Sequence, residues 1–153
     1  MFGALYYTIG CFFIAGIFTF ISAMFRPIQD KGESKPWLTF MIWMVLVFSA
    51  PYLYAEVLTR YVAKDVEKVV KESYTGVDVN GPMRFYRVIW YTGEKATVVA
   101  VGKEPQSWGG TDRPVVSFKL AKNGEGKGWE CVSYRMVYSD RLNKDGISFP
   151  PYW

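Results

Sequence analysis

Few side chains in this sequence are of types that carry out chemistry, and their spacing does not group them. The 153 residues include no histidine, the commonest general base and metal ligand. The two cysteines, Cys11 and Cys131, lie far apart and lack the spacing of zinc or iron–sulfur motifs. The sequence therefore predicts no metal site and no cofactor-binding residue.

Carboxylates and glycine-rich segments are the other candidates for reactive groups. Asp140 and Asp145 lie in a charged stretch that is typical of solvated surface. Gly102-Lys103 and Gly109-Gly110-Thr111 have the residue types of phosphate-binding loops, but they lack the strand–loop–helix spacing of such loops. We therefore expect no catalytic residue and no enzymatic activity.

Two long segments without charge dominate the N-terminal third. Residues 2–25 and 36–55 contain no Lys, Arg, Asp or Glu, and about 20 apolar residues in a helix cross the ~30 Å hydrocarbon core. The first segment has no basic residue before Arg26, which argues against a cleaved signal peptide. The pattern predicts a transmembrane hairpin over residues 1–55, with spans at about 2–25 and 36–55 and a loop at 26–35.

The first predicted span has a face of small or hydroxylated side chains. Such residues allow helices in lipid to approach closely. Either the second helix of the hairpin or a partner subunit would pack there, whereas the phenylalanines, including Phe12 and Phe18, are expected to point elsewhere. The face consists of Ala4, Thr8, Cys11, Ala15, Thr19 and Ser22.

Residues 56–147 have the pattern of a small extramembrane α+β domain. An amphipathic helix, with Val57, Tyr61 and Val66 on its apolar side, is predicted to run to about Tyr74. It would cover a sheet or lie on the lipid surface. Strands are predicted at residues 83–91, 96–102, 115–121 and 129–138 from apolar alternation and intervening turn residues. One long helix on a four-stranded antiparallel meander resembles the cystatin-type and NTF2-type rolls in topology.

Aromatic residues outside the spans are the candidate partner contacts. Residues 148–153 form a tail with Phe149, Tyr152 and Trp153, and aromatic side chains are enriched in interface cores. Trp108 lies in a glycine-rich segment as either a contact anchor or a lid over the local core. Folding of the tail back onto its own sheet, or into the membrane interface, is the alternative to docking.

Charge distribution bears on partners and on sidedness. The loop has three basic and two acidic residues, and the chain from Glu56 onward has 15 basic and 12 acidic. Without a run of like charge, nothing supports nucleic-acid binding. Basic residues favour a cytoplasmic loop, so the N-terminus and the domain are expected on the periplasmic or luminal side of a bacterial inner or equivalent organellar membrane.

These patterns favour a non-catalytic accessory subunit of a larger membrane complex that is respiratory, photosynthetic or transport-related. Its partners would be other integral membrane subunits and the lipid bilayer, and any pigment or quinone would contact it through packing alone. The alternative is a membrane-anchored assembly factor or secretion-apparatus component whose α+β domain binds polypeptide. A third hypothesis is an enzyme or small-ligand sensor with a pocket lined by Tyr86, Arg87 and Trp90.

Overall fold

Two long helices and two antiparallel sheets form the described part of the chain. The structure is a computed structural model that describes residues 2–25, 35–106, 109–124, 128–141 and 149–150. The chain divides into two compact units, Met1–Tyr52 and Leu53–Trp153. The helices are α1 (Phe2–Met24) and α2 (Pro36–Thr75), and the strands are β1 (Met83–Tyr91), β2 (Lys95–Gly102), β3 (Glu104–Pro105), β4 (Thr111–Asp112), β5 (Val115–Lys122) and β6 (Trp129–Tyr138).

The predicted pair of long apolar helices is confirmed. Gly3–Met24 and Pro36–Val62 are each long and apolar enough to cross a membrane. Only 11% and 6% of their most apolar stretches are buried within the protein. Pro36 begins α2, where its missing N–H costs no hydrogen bond. Most of the predicted loop, residues 26–34, lies outside the described residues.

The four-stranded antiparallel sheet is also confirmed, and its strand bounds differ from the prediction by at most one residue. The spatial order is β1-β2-β5-β6, so each strand pairs with its neighbour in this sheet. A tight turn joins β1 to β2, with the Thr92 N–H donating to the Lys95 carbonyl at 2.9 Å. Gly93 adopts φ +80° in this turn, a conformation that glycine takes without steric cost.

One element was not predicted. Between the predicted second and third strands, β3 and β4 pair as a short hairpin, with Glu104 opposite Asp112. Each of these strands has two residues, too few for an alternating pattern to show in the sequence.

The C-terminal half of α2 packs on one face of the large sheet, which is the first of the two arrangements that the sequence left open. Val62, Val66 and Val70 recur every fourth residue and are fully buried with Tyr74 in the same core as Phe118. The buried stripe is narrower than predicted. Val57 and Tyr61 are 68% and 80% exposed, because they lie to one side of the line that faces the sheet. A smaller cluster of Val99, Val101 and Val115 lies on the opposite sheet face.

Candidate functional site

The predicted small-residue face of α1 is divided between covered and uncovered positions. Cys11 and Ala15 are buried, and Ser22 Oγ accepts a hydrogen bond from Trp43 Nε1 of α2 at 3.0 Å. Thr19 is half-buried, whereas Ala4 and Thr8 are exposed. The hydroxyls of Thr8 and Thr19 donate to carbonyls one turn earlier, at 2.9 Å and 2.7 Å. The hairpin thus covers the middle and the end of this face and leaves its beginning open.

Aromatic side chains form several of the contacts between α1 and α2. Phe18 stacks on Trp43 with ring centroids 4.8 Å apart, and Phe12 meets the Phe40 ring edge-on at 5.0 Å. The Tyr7 hydroxyl donates to the Phe48 carbonyl at 2.7 Å. Phe12 and Phe18, which we expected to point elsewhere, therefore reach the second helix. Residues that flank a small stripe lie about 100° to its side, and an aromatic ring is long enough to span that offset.

The predicted aromatic contacts fall mostly outside the described residues. Trp108, Tyr152 and Trp153 lie there, and Phe149 is 43% exposed. The three residues of the sensor hypothesis are not gathered on one surface. Tyr86 packs against the core beneath α2, whereas the Arg87 guanidinium lies 5.1 Å from the ring of Phe85, which packs against the cluster on the opposite face.

Buried carboxylates tie the short hairpin to the end of β6. Asp112 is 4% exposed and accepts the backbone N–H groups of Arg113 at 2.6 Å and Asp140 at 2.9 Å. Asp140 in turn accepts from the Tyr138 hydroxyl at 2.6 Å and from Gln106 Nε2 at 2.7 Å. The hydrogen bond to Asp140, followed by burial, raises the pKa of Tyr138 to about 12. Asp140 is thus half-buried and fully engaged, not the solvated surface residue that its sequence context suggested.

The carboxylate of Glu104, in the β3–β4 hairpin, is held in the same way. Glu104 is 7% exposed, and its Oε1 accepts the Asn80 N–H at 3.4 Å and lies 4.0 Å from Arg141 Nε. Arg141 also donates through Nη2 to the Asp78 carbonyl at 2.8 Å and pairs with Asp78 Oδ1 at 3.2 Å. Glu104 and Arg141 therefore connect the segment before β1, the short hairpin and the residues after β6.

The β3–β4 hairpin and the strand ends beside it form a basic pocket of about 510 Å³. Arg84, Lys103, Arg113 and Thr111 line it, all with exposed side chains, and Gly102 forms part of its wall. None of the three cations forms an ion pair within the described part of the chain. Gly102, Lys103 and Thr111 come from the two glycine-containing segments that lack the spacing of a phosphate-binding loop. The structure thus brings together residues that the sequence left apart.

A neighbouring pocket of about 450 Å³ lies between the end of α2 and the segment leading to β1, with Tyr74 and Gly81 in its lining. The Tyr74 hydroxyl is buried and has no hydrogen-bond partner among the described residues. A side chain at Gly81 would overlap the Lys103 carbonyl, so glycine permits the close approach of the two backbones there.

The exposed edge of the large sheet is a further surface. β6 forms one edge, and Val132 and Tyr134 on it are 69% and 56% exposed. The described residues contain no group of three or more Cys, Asp or Glu placed to hold a metal ion. No family model, curated protein or solved structure matches the chain.

Proposed function

We propose that this chain is a membrane-anchored, non-catalytic subunit of a larger membrane protein assembly, with α1 and the first half of α2 as its two spans. The observation that carries the proposal is the apolar surface of the hairpin. Among the described residues between Leu5 and Phe48, nineteen large apolar side chains are exposed, twelve up to Phe25 and seven on α2.

Water is a poor solvent for such a surface. If each of these side chains leaves about 80 Å² uncovered, the total is on the order of 1,500 Å², whereas exposed apolar patches on soluble monomers rarely exceed a few hundred Å². At ~25 cal/mol per Å², transfer out of water stabilises this surface by roughly 40 kcal/mol. A core helix of a soluble protein would be mostly buried, and a signal sequence would account for α1 alone. A bilayer accommodates both helices.

Association with another subunit is supported by the open part of the small-residue face. Ala4 and Thr8 are exposed on α1, one turn apart. In lipid, helices associate through close packing at such small side chains. Ala4 and Thr8 are therefore the proposed contact for a helix of a partner, while Cys11 and Ala15 serve the hairpin itself.

The proposed orientation places the short loop, with Arg26, Lys31 and Lys35, in the cytoplasm and the C-terminal domain on the periplasmic or luminal side. A reporter that is active only in the cytoplasm, fused after Trp153, is expected to be inactive. Activity of that fusion would reverse the orientation.

Extraction of the protein from its native membrane with a mild detergent tests the proposed assembly. We expect it to elute well above 17.6 kDa of protein mass and to carry stoichiometric partners identified by mass spectrometry. The Thr8→Phe variant should lose these partners, because the larger side chain blocks close approach of helices. Phe20→Leu, at a 67% exposed position, is the matched control and should keep them. Elution of the wild type as a lone monomer would refute the proposal.

The β6 edge favours one second candidate, an assembly factor that binds extended polypeptide. An edge strand offers unpaired backbone groups to an added strand, and Val132 and Tyr134 would contact its side chains. Tyr134→Lys should then abolish crosslinking to client polypeptides, whereas Trp90→Lys on the opposite edge strand should not. Partners that stay bound in fixed stoichiometry in both variants would favour the subunit over the assembly factor.

A further inference from the structure

Three cations line one pocket, and none of them forms an ion pair among the described residues. Arg84 comes from β1, Lys103 from the link between β2 and β3, and Arg113 from the link between β4 and β5. Each of the last two is adjacent in sequence to an acid, Glu104 and Asp112. On sequence alone this region is close to neutral.

The fold separates these neighbours. Glu104 and Asp112 are directly opposite each other in the β3–β4 pair, and both are buried. Their oxygens accept backbone N–H groups, and Glu104 also lies beside Arg141. The two carboxylates are therefore bonded to backbone N–H groups, that of Arg113 among them, and form no ion pair with the side chains of Lys103 or Arg113 among the described residues. These two cationic side chains are exposed and line the pocket.

We propose that this pocket binds the phosphate group of an anionic ligand, supplied either by free phosphate or by a lipid headgroup. Guanidinium groups donate paired hydrogen bonds that match phosphate oxygens, and an ammonium adds a mobile point charge. Arg84, Arg113 and Lys103 supply these groups, and the Thr111 hydroxyl adds a neutral donor. A volume of about 510 Å³ leaves room for a substituent on the phosphate.

The site differs from a phosphate-binding loop, in which backbone N–H groups hold the ligand. The Gly102 N–H donates to the Pro114 carbonyl at 2.9 Å and the Lys103 N–H to the Pro82 carbonyl at 3.1 Å. Both amides are thus used within the fold, so the side chains hold the anion. Binding should accordingly depend on the arginines and on ionic strength.

Titration of the full chain with inorganic phosphate, in a zwitterionic detergent, tests the free-phosphate source. Thermal stability and isothermal calorimetry are followed at constant ionic strength, with chloride as the balancing anion. We expect saturable, phosphate-specific binding that Arg84→Gln and Arg113→Gln each weaken by about five- to tenfold. Arg135→Gln, which removes an exposed cation of β6, should bind as the wild type does. Lys103→Gln provides a third variant should either arginine variant misfold.

Reconstitution tests the lipid source. The wild type and an Arg84→Gln/Arg113→Gln variant are placed in phosphatidylcholine nanodiscs with and without phosphatidic acid. Stabilisation of the wild type alone by phosphatidic acid, without saturable binding of inorganic phosphate, assigns the site to a headgroup. Saturable binding of inorganic phosphate that the variants lose assigns it to a free phosphate. The proposal is overturned if neither source binds better than chloride, or if the variants bind as tightly as the wild type.

Discussion

Tyr74 of α2 and Gly102 of β2 meet inside the core, and the space between them predicts how two substitutions should interact. The Tyr74 hydroxyl is buried without a partner among the described residues. An added Cβ at Gly102 would overlap this hydroxyl and would lie 3.0 Å from Pro114 Cγ and 3.4 Å from Tyr74 Cζ. The hydroxyl is thus both an unsatisfied polar group and the main obstacle to a side chain at position 102.

The magnitudes follow from these contacts. An unsatisfied buried hydroxyl costs about 1–3 kcal/mol, so Tyr74→Phe should raise the free energy of unfolding by about 1 kcal/mol after the loss of its packing. Overpacking costs about 1–3 kcal/mol, partly offset by the ~0.5–1 kcal/mol that alanine gains over glycine in a strand. Gly102→Ala alone should therefore destabilise the domain by about 1–2 kcal/mol. In the Tyr74→Phe background the hydroxyl is absent, and the contact between the added Cβ and the ring is an ordinary van der Waals contact. The destabilisation by Gly102→Ala should therefore be smaller by about 1 kcal/mol in this background.

Hydrogen exchange of the β2 and β5 amides in the detergent-solubilised full chain measures these opening free energies directly. Four proteins are compared, namely the wild type, both single variants and the double variant. Two results would refute the reasoning. A destabilising Tyr74→Phe would mean that the hydroxyl is satisfied, and an equal cost of Gly102→Ala in both backgrounds would mean that the overlap is with another group.

Three further predictions, tested with four substitutions, concern other parts of the structure; stability is followed by hydrogen exchange, and by chemical denaturation for the pH series. Asp112→Asn should lower the free energy of unfolding by about 1–3 kcal/mol, because an amide nitrogen cannot accept one of the two backbone N–H groups; an unchanged value would contradict the assigned bonds. The pKa of Tyr138 is raised from 10.0 in the unfolded chain to about 12, so its stabilising contribution is complete below pH 10 and is lost as the pH rises to about 12. The stability difference between wild type and Tyr138→Phe should therefore shrink from about pH 9 to about pH 11.5, and a constant difference would show that the phenol is not so held. Val66→Ala should cost about 1.5–3 kcal/mol at its fully buried site, whereas Val57→Ala, 68% exposed, should cost almost nothing; equal effects would place the wrong side of α2 on the sheet.

The large sheet and the helix on it could be predicted because the periodicity of apolar residues in the sequence indicates which side chains are buried. In β5, Val116, Phe118 and Leu120 alternate with Ser117 and Lys119, and the three apolar side chains are buried. A strand with one face covered must alternate in this way. The apolar stripe of α2 was predicted too wide, because Val57 and Tyr61 are exposed and not packed on the sheet.

The interface between α1 and α2 shows what residue spacing alone does not predict. Six small or hydroxylated residues define a face of α1, but the sequence does not say which neighbour covers each part of it. The structure covers Cys11 and Ala15 and leaves Ala4 and Thr8 exposed. Phe12 and Phe18 join the interface because ring contacts depend on side-chain length and rotamer, which a helical wheel does not include.

The basic pocket could not be predicted from the sequence. Its charge depends on which residue of each adjacent acid–base pair is buried by the short strands β3 and β4. Lys103-Glu104 and Asp112-Arg113 alternate in sign, and a sequence reading treats each pair as nearly neutral. In the structure the two acids are buried opposite each other, where backbone N–H groups and Arg141 compensate them. The two cations remain outside, with Arg84 as a third. The small net positive charge of the domain is therefore unevenly distributed, because three cationic side chains line this pocket while the carboxylates of Glu104 and Asp112 are buried. These exposed cations are the groups that we propose bind a phosphate group.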